Sequence, residues 1–347
     1  MRQSSSQSRF QVKIVNRSAL IRLAILFMVL LFLGVWAWLT MFRMPQQSYN
    51  GQLPALQPEE IALQNSLKQD VQKLAGEIGV RNIGQYEQLN AAKTFLEMAL
   101  TQADYEVKIQ EYKIQEKSFY NLEAEHLGTE KPNEIIVIGA HYDSAFTSPG
   151  ANDNGTGAAA TLELARIFAN QSTQRTIRFV EFTNEEPPFL WTENMGSLVY
   201  AKQLHKNNEN VVAMFSLETM GYFSDAEDSQ KYPLPVIGLL YPNRGHFISF
   251  IGNLNSSDLV RKTVGSFRRH VQFPSQGVSL PGSIPGVGWS DQWSFWQQGY
   301  QGIMITDTAP YRYPNYHTEE DTADQIDFEK LARVVAGLAK VISELAK

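Results

Sequence analysis

From Leu23 to Phe42 the chain reads LAILFMVLLFLGVWAWLTMF, twenty residues without a charge. A helix rising about 1.5 Å per residue carries such a run across ~30 Å, the thickness of a bilayer's hydrocarbon core. Trp36 and Trp38 stand near its far end, where aromatic rings favour the headgroup interface. Arg2, Arg9, Lys13, Arg17 and Arg22 precede the run, and Arg43 alone follows it closely. The positive-inside asymmetry therefore predicts a basic cytoplasmic tail over 1–22, a transmembrane anchor over 23–42, and a body on the outer side of the membrane. A cleaved signal peptide would carry a shorter apolar region ending in small residues. This run ends in Trp-Ala-Trp-Leu-Thr-Met-Phe, so an uncleaved single-pass anchor is expected.

Residues 43–57 are mostly polar, with Pro45 and Pro54, and read as a linker to a single domain over 58–347. Leu63, Leu67, Val71, Leu74 and Ile78 recur at three- and four-residue steps and predict a helix over 58–78. A second helix is expected around Tyr86–Gln102, then extended stretches at Glu106–Ile114 and Asn121–His126. Four largely apolar runs, Ile135–Ala140, Ile177–Phe182, Val211–Leu217 and Ile303–Thr306, predict buried strands. Helices are expected between them at 158–170 and Ser197–His205, and a last amphipathic one at Asp327–Leu345. Strand alternating with helix predicts an α/β fold, a three-layer sandwich with a mainly parallel central sheet behind one transmembrane helix. The stretch 224–300, rich in Gly, Pro and Ser, reads as an elaborated loop region.

Composition narrows the chemistry. The 347 residues include no cysteine, which excludes disulfides, Cys-ligated zinc, iron–sulfur clusters and a thiol nucleophile. The net charge of −6 hides an asymmetry: six of the 30 Lys and Arg lie in the first 43 residues, leaving 24 to face all 36 Asp and Glu. A body that acidic does not suit nucleic-acid binding.

In open α/β sheets, functional groups gather at the carboxyl ends of strands. Each predicted strand end here delivers ionisable residues. The first runs into His141-Tyr142-Asp143, and the loop after it brings Asp153 to the start of a helix. The second leads into Glu185-Glu186, the third ends at Glu218, and the fourth is followed by His317. Two histidines and several carboxylates form a donor set suited to zinc or another divalent ion. Two adjacent glutamates at a buried strand end also require a positive partner to stay ionised. His126, His205, His246 and His270 have no comparable context. Trp289, Trp293, Phe295, Trp296 and Tyr300 crowd one segment between Glu218 and His317, either as a satellite core or as the wall of a substrate pocket.

Five segments in order, GAHYDS (139–144), GANDNGTGAAATLELAR (150–166), FTNEEPPF (182–189), SLETMGY (216–222) and YHTEEDTADQID (316–327), make the chain resemble the M28 family of zinc-dependent, aminopeptidase-like metallopeptidases. The resemblance covers roughly 58–347. It implies two zinc ions: Asp153 bridging them, His141 and Glu218 completing one site, Glu186 and His317 the other. It further implies Glu185 as the general base and Asp143 as the acid that orients His141. Glu218 stands where many members have Asp, which lengthens the ligand's arm by one methylene. The implied activity is hydrolysis of N-terminal peptide bonds in peptides or small proteins. A glutaminyl-cyclase-like enzyme shares the fold and a related HYDS segment, and an inactive ectodomain is a second alternative. The complete donor set favours the peptidase.

Overall fold

The computed structural model describes residues 16–347. Arg2, Arg9 and Lys13 of the expected cytoplasmic tail lie outside them. The chain divides into two units, Met1–Arg43 and Met44–Lys347. In the first, helix α1 (Arg17–Ala37) continues into a five-residue π-helix, Trp38–Phe42. The helical stretch Arg17–Phe42 begins earlier than the uncharged run and is long and apolar enough to be a candidate transmembrane span.

The second unit is organised by the strand β3 (Lys131–His141), whose successive side chains serve two different cores. Ile136, Ile138 and Ala140 point into one cluster, and Ile135 and Val137 into another. Strand β4 (Arg175–Phe182) divides likewise, Ile177 and Phe179 against Val180 and Phe182. The first core is closed by α2 (Pro58–Val71), α3 (Tyr86–Gln102), α4 (Thr156–Phe168), α7 (Ser257–His270) and α9 (Phe328–Leu345). The second is closed by α5 (Gly196–Lys206) and by Phe295 of α8 (Gln292–Gln297). Helices thus cover both faces of one sheet, the expected three-layer α/β sandwich. A one-turn helix, α6 (Pro235–Gly238), lies in the long excursion after the fifth strand.

Eight strands form the sheet among the described residues. With β1 (Val107–Ile114), β2 (Lys117–His126), β5 (Asn210–Glu218), β6 (Ile248–Gly252), β7 (Ser275–Ser279) and β8 (Gly302–Thr306), the order is β1-β2-β4-β3-β5-β8-β6-β7. The central strands β4, β3, β5 and β8 run parallel. Antiparallel pairing joins β1 to β2, β2 to β4 and β6 to β8, so the sheet is mixed, with a parallel centre. The four carboxyl ends at that centre therefore share one edge.

The expectation of a loop region over 224–300 is corrected: it contains β6, α7, β7 and α8. Both strands have only five residues, and β7 reads SQGVS, too short and polar for periodicity to register. Helix α7 buries Leu259, Val260, Val264 and Phe267 along one side, a pattern diluted by its charged residues.

Two glycines bring the catalytic-edge loops into place. Gly150 has φ +63, and a Cβ there would meet the Asp153 carbonyl at 2.4 Å. A Cβ on Gly157 would meet the Leu217 carbonyl at 2.2 Å, so only glycine lets α4 start against β5.

Candidate metal centre

His141, at the end of β3, is almost wholly buried, as are Asp143 two residues on and Glu185 and Glu186 just past β4. The loop between β3 and α4 is held by Arg81, which is 0% exposed. Its guanidinium donates to the carbonyls of Tyr142 (2.6 Å), Gly79 (3.2 Å), Gly150 (2.7 Å) and Pro149. One buried cation thereby fixes the path between His141 and Asp153 and adds positive charge behind an acidic site. Asn184, Thr219 and Thr308, just beyond β4, β5 and β8, and His317, on the loop that follows β8, all have positive φ. Non-glycine residues there are uncommon and concentrate at functional edges.

Asp153 occupies the middle of the site. Its Oδ1 lies 3.5 Å from His141 Nε2 and its Oδ2 2.9 Å from His317 Nε2. Glu218 Oε2 is 3.2 Å from His141 Nε2, and Glu186 Oε1 is 3.4 Å from His317 Nε2. The donor atoms of His141, Asp153 and Glu218 lie within 4.8 Å of one another, and so do those of Asp153, Glu186 and His317. His141, Glu185 and Glu186 form a third such group. The longer arm of Glu218 still reaches the cluster, and Ser290 Oγ donates to its Oε2 at 2.6 Å. All seven residues singled out in the sequence therefore converge on one edge.

Asp143 does more than its neighbouring histidine suggested. Its Oδ1 is 3.5 Å from His141 Nδ1, and its two carboxylate oxygens accept the backbone N–H groups of Glu185 and Glu186, each at 3.1 Å. Sequence reading left several supporting residues without a role. Asp321, inside the segment around His317, accepts the backbone N–H of Asn152 (2.8 Å) and of Asp153 (3.1 Å). Asn152 in turn donates to Asp307 at 2.9 Å. Nothing in spacing distinguishes these acids from surface ones, because their partners, backbone N–H groups and the side chains of Asn152 and Tyr313, are brought in by the fold.

The electrostatics call for a cation. Burial pushes Glu186 up to about 7, with Asp153 adding to the rise and His317 opposing it. Burial likewise raises Glu185 and Glu218. Burial opposes charge on Asp153 too, yet His141 and His317 hold it below the usual carboxylate range. For His317, burial disfavours the charged form, but Asp153 and Glu186 lift it to about 10. The buried Asp153 Oδ2 and Glu186 Oε1 have no hydrogen-bond partner; the 2.9 Å approach of His317 to Asp153 is close but not aligned as a hydrogen bond. Unpartnered carboxylate oxygens facing imidazole nitrogens fit a divalent metal, and the N/O donor set suits zinc.

Beside this centre, joined to it through Glu218 and Tyr316, lies an apolar pocket walled by Phe247, Ile251, Val278 and Trp289. The aromatic segment thus divides. Trp289 lines the pocket, whereas Phe295 and Tyr300 pack with Phe182 and Tyr200 in the second core. Trp296 donates its indole N–H to the Gly302 carbonyl at 2.9 Å, away from the pocket wall. Trp289 precedes α8 and Tyr300 follows it, so the segment's aromatics do not share one face.

The chain is similar in sequence and in fold to known proteins. The model of peptidase family M28 matches residues 121–342. The Escherichia coli K12 protein YfbL is 34% identical over 284 residues, covering 80% of this chain and 86% of that protein. Aminopeptidase YwaD of Bacillus subtilis is 27% identical over 67% of this chain, which spans only 47% of that enzyme's length. Among solved structures, a zinc aminopeptidase from Bacillus subtilis has a TM-score of 0.67 at 15% identity, covering 86% of this chain and 97% of that one. A glutaminyl cyclase from Bacteroides thetaiotaomicron also shares the fold, with a TM-score of 0.61 at 17% identity over 84% of this chain and 99% of that one. With the family model spanning most of the body and every one of the five segments inside it, the chain belongs to peptidase family M28.

Proposed function

We propose that the protein is a membrane-anchored zinc aminopeptidase that holds two zinc ions and removes residues from the N-termini of peptides. The observation that carries this reading is Asp153, which turns one oxygen toward His141 and the other toward His317, so that two donor groups share one carboxylate. His141, Asp153 and Glu218 would hold one ion, and Asp153, Glu186 and His317 the other. Bound zinc supplies positive charge that acidifies water and stabilises an oxyanion.

The chain's own residues supply the rest. Glu185 takes the proton of the attacking water on a carboxylate oxygen and returns it to the leaving amine. Asp143, through the Glu185 and Glu186 backbone and through His141, keeps base and ligands in register. The apolar pocket would receive the side chain of the N-terminal residue. Of its polar members, Gln230 is engaged, donating to Thr308 at 2.9 Å and accepting from Arg312 at 2.8 Å. That leaves walls of Phe247, Ile251, Val278 and Trp289, which favour a large apolar or aromatic residue.

The anchor reading rests on Arg17–Phe42 and the basic residues before it, with the N-terminus cytoplasmic and the body outside. Protease added to intact cells should then digest the body and spare the tail. For the chemistry, the full chain in detergent should be assayed on amino-acid amides and on a peptide with N-terminal glutamine. Amide hydrolysis that a chelator abolishes and zinc restores supports the peptidase. Pyroglutamyl product without amide hydrolysis would instead assign a glutaminyl-cyclase activity.

A further inference from the structure

We propose that the segment Pro233–Tyr241 of the body docks into the lipid interface beside the anchor. In the Met44–Lys347 unit most large exposed apolar residues, such as Met98, Leu127 and Trp191, stand singly, as on any soluble surface. The exception is PLPVIGLLY at 233–241. Within seven residues Leu234, Val236, Leu239 and Leu240 are all exposed, Leu239 at 84%. Ile237 is the buried residue of the segment and, with Pro233 and Tyr241 at its two ends, lines the apolar pocket beside the metal centre. The segment is held at its base by Tyr241, whose hydroxyl donates to the Gly277 carbonyl of β7 at 2.9 Å.

The occupant is identified by where the chain enters the body. Met44 packs on the same residue: a Cβ on Gly277 would meet the Met44 Cγ and Sδ at 3.0 Å. The next residues are pinned too. Arg268 donates to the Gln46 carbonyl at 2.9 Å, and the Ser275 N–H donates to Ser48 Oγ at 2.9 Å. Arg43 alone separates Met44 from Phe42, the end of the candidate span, a reach of about 7 Å over two Cα steps. With the span in a bilayer, so short a tether would limit how far Gly277, and the apolar segment bonded to it, can lie from the bilayer surface. Amphipathic segments settle about 5–10 Å into that interface, which suits four exposed aliphatic side chains.

Charge does not drive the contact. Asp225, Glu227 and Asp228 precede the segment and would be repelled by anionic lipid. Insertion should therefore proceed equally well into zwitterionic lipid.

The inference rests on the anchor proposed above, and its test separates the two. The chain has no cysteine, so Leu239→Cys and, at the far edge of the sheet in the β1–β2 turn, Glu116→Cys each give one labelling site. Full-length protein carrying an environment-sensitive fluorophore is reconstituted in phosphatidylcholine vesicles containing a lipid-borne quencher, then washed with alkaline carbonate. Retention on the vesicles, with several-fold stronger lipid quenching at 239 than at 116, is the expected result. Retention with both labels equally open to an aqueous quencher overturns the docking and leaves the anchor. Release of the chain by carbonate overturns the anchor and, with its tether, the docking.

Discussion

The metal centre and the apolar pocket beside it touch through Glu218 and Tyr316, yet they are built on opposite principles. The centre concentrates buried charge: two histidines and four carboxylates whose ionised forms are sustainable only together with a cation. The pocket is made of ordinary hydrophobic residues from β6, β7 and the loops around them. On the proposed function, chemistry would depend on a few groups that nothing can replace, and selectivity on shape that many side chains could supply. Substitutions in the two regions should fail in different ways.

The largest separation is expected between neighbours. Glu185→Gln should keep both metals and lose ~10²–10⁴-fold in turnover, about 3–5 kcal/mol of barrier, because Gln can hydrogen-bond water but cannot take its proton. Glu186→Gln should instead lose zinc, since it replaces an anionic donor with a weak neutral one. Zinc content and turnover measured side by side decide between them. Metal loss in Glu185→Gln alone would mean the roles are exchanged.

A second contrast sets core against pocket among the aromatics. Phe295 is fully buried against Phe182 and Tyr200, so Phe295→Ala should cost about 3–5 kcal/mol of stability, read from denaturant unfolding. Trp289→Ala should leave stability and zinc content nearly unchanged. It should shift the ratio of kcat/KM between aromatic and small N-terminal residues by about 10-fold or more. An unchanged ratio would remove the pocket from substrate selection.

This division also explains what could be read from the chain alone. His141, Glu185, Glu186 and Glu218 were legible as ionisable residues at or just past the end of an apolar run, whereas Asp153 and His317, on loops, drew their roles from the resemblance to the family. The parallel strands that lead to the first four are long and continuous enough to register. Phe247, Ile251 and Val278 were not legible, because an apolar residue facing a pocket looks like one facing a core. The short strands β6 and β7 that carry the latter two had no period to reveal them. Asp307 and Asp321 escaped for a third reason: their partners are backbone amides, an Asn and a Tyr, and only the folded chain brings those together.

The smallest expected effect concerns protons. Burial disfavours charge on His317, but Asp153 and Glu186 lift its pKa to about 10, so in metal-free protein the imidazole should be protonated at neutral pH. Zinc needs the neutral ring, so loading should release about one or two protons per chain, and affinity should rise with pH up to that value. Titration of metal-free protein in weak buffer measures the release. Zinc uptake with no proton release would exclude His317 as a protonated ligand awaiting metal.

The most direct test of the central claim is zinc stoichiometry tied to activity in the full-length protein. Metal-free enzyme titrated with zinc should be inactive at first, bind two ions per chain, and hydrolyse amino-acid amides once they are bound. His317→Ala should bind fewer. Full activity at one ion per chain, or two tightly bound ions in His317→Ala, would contradict a pair of sites sharing Asp153.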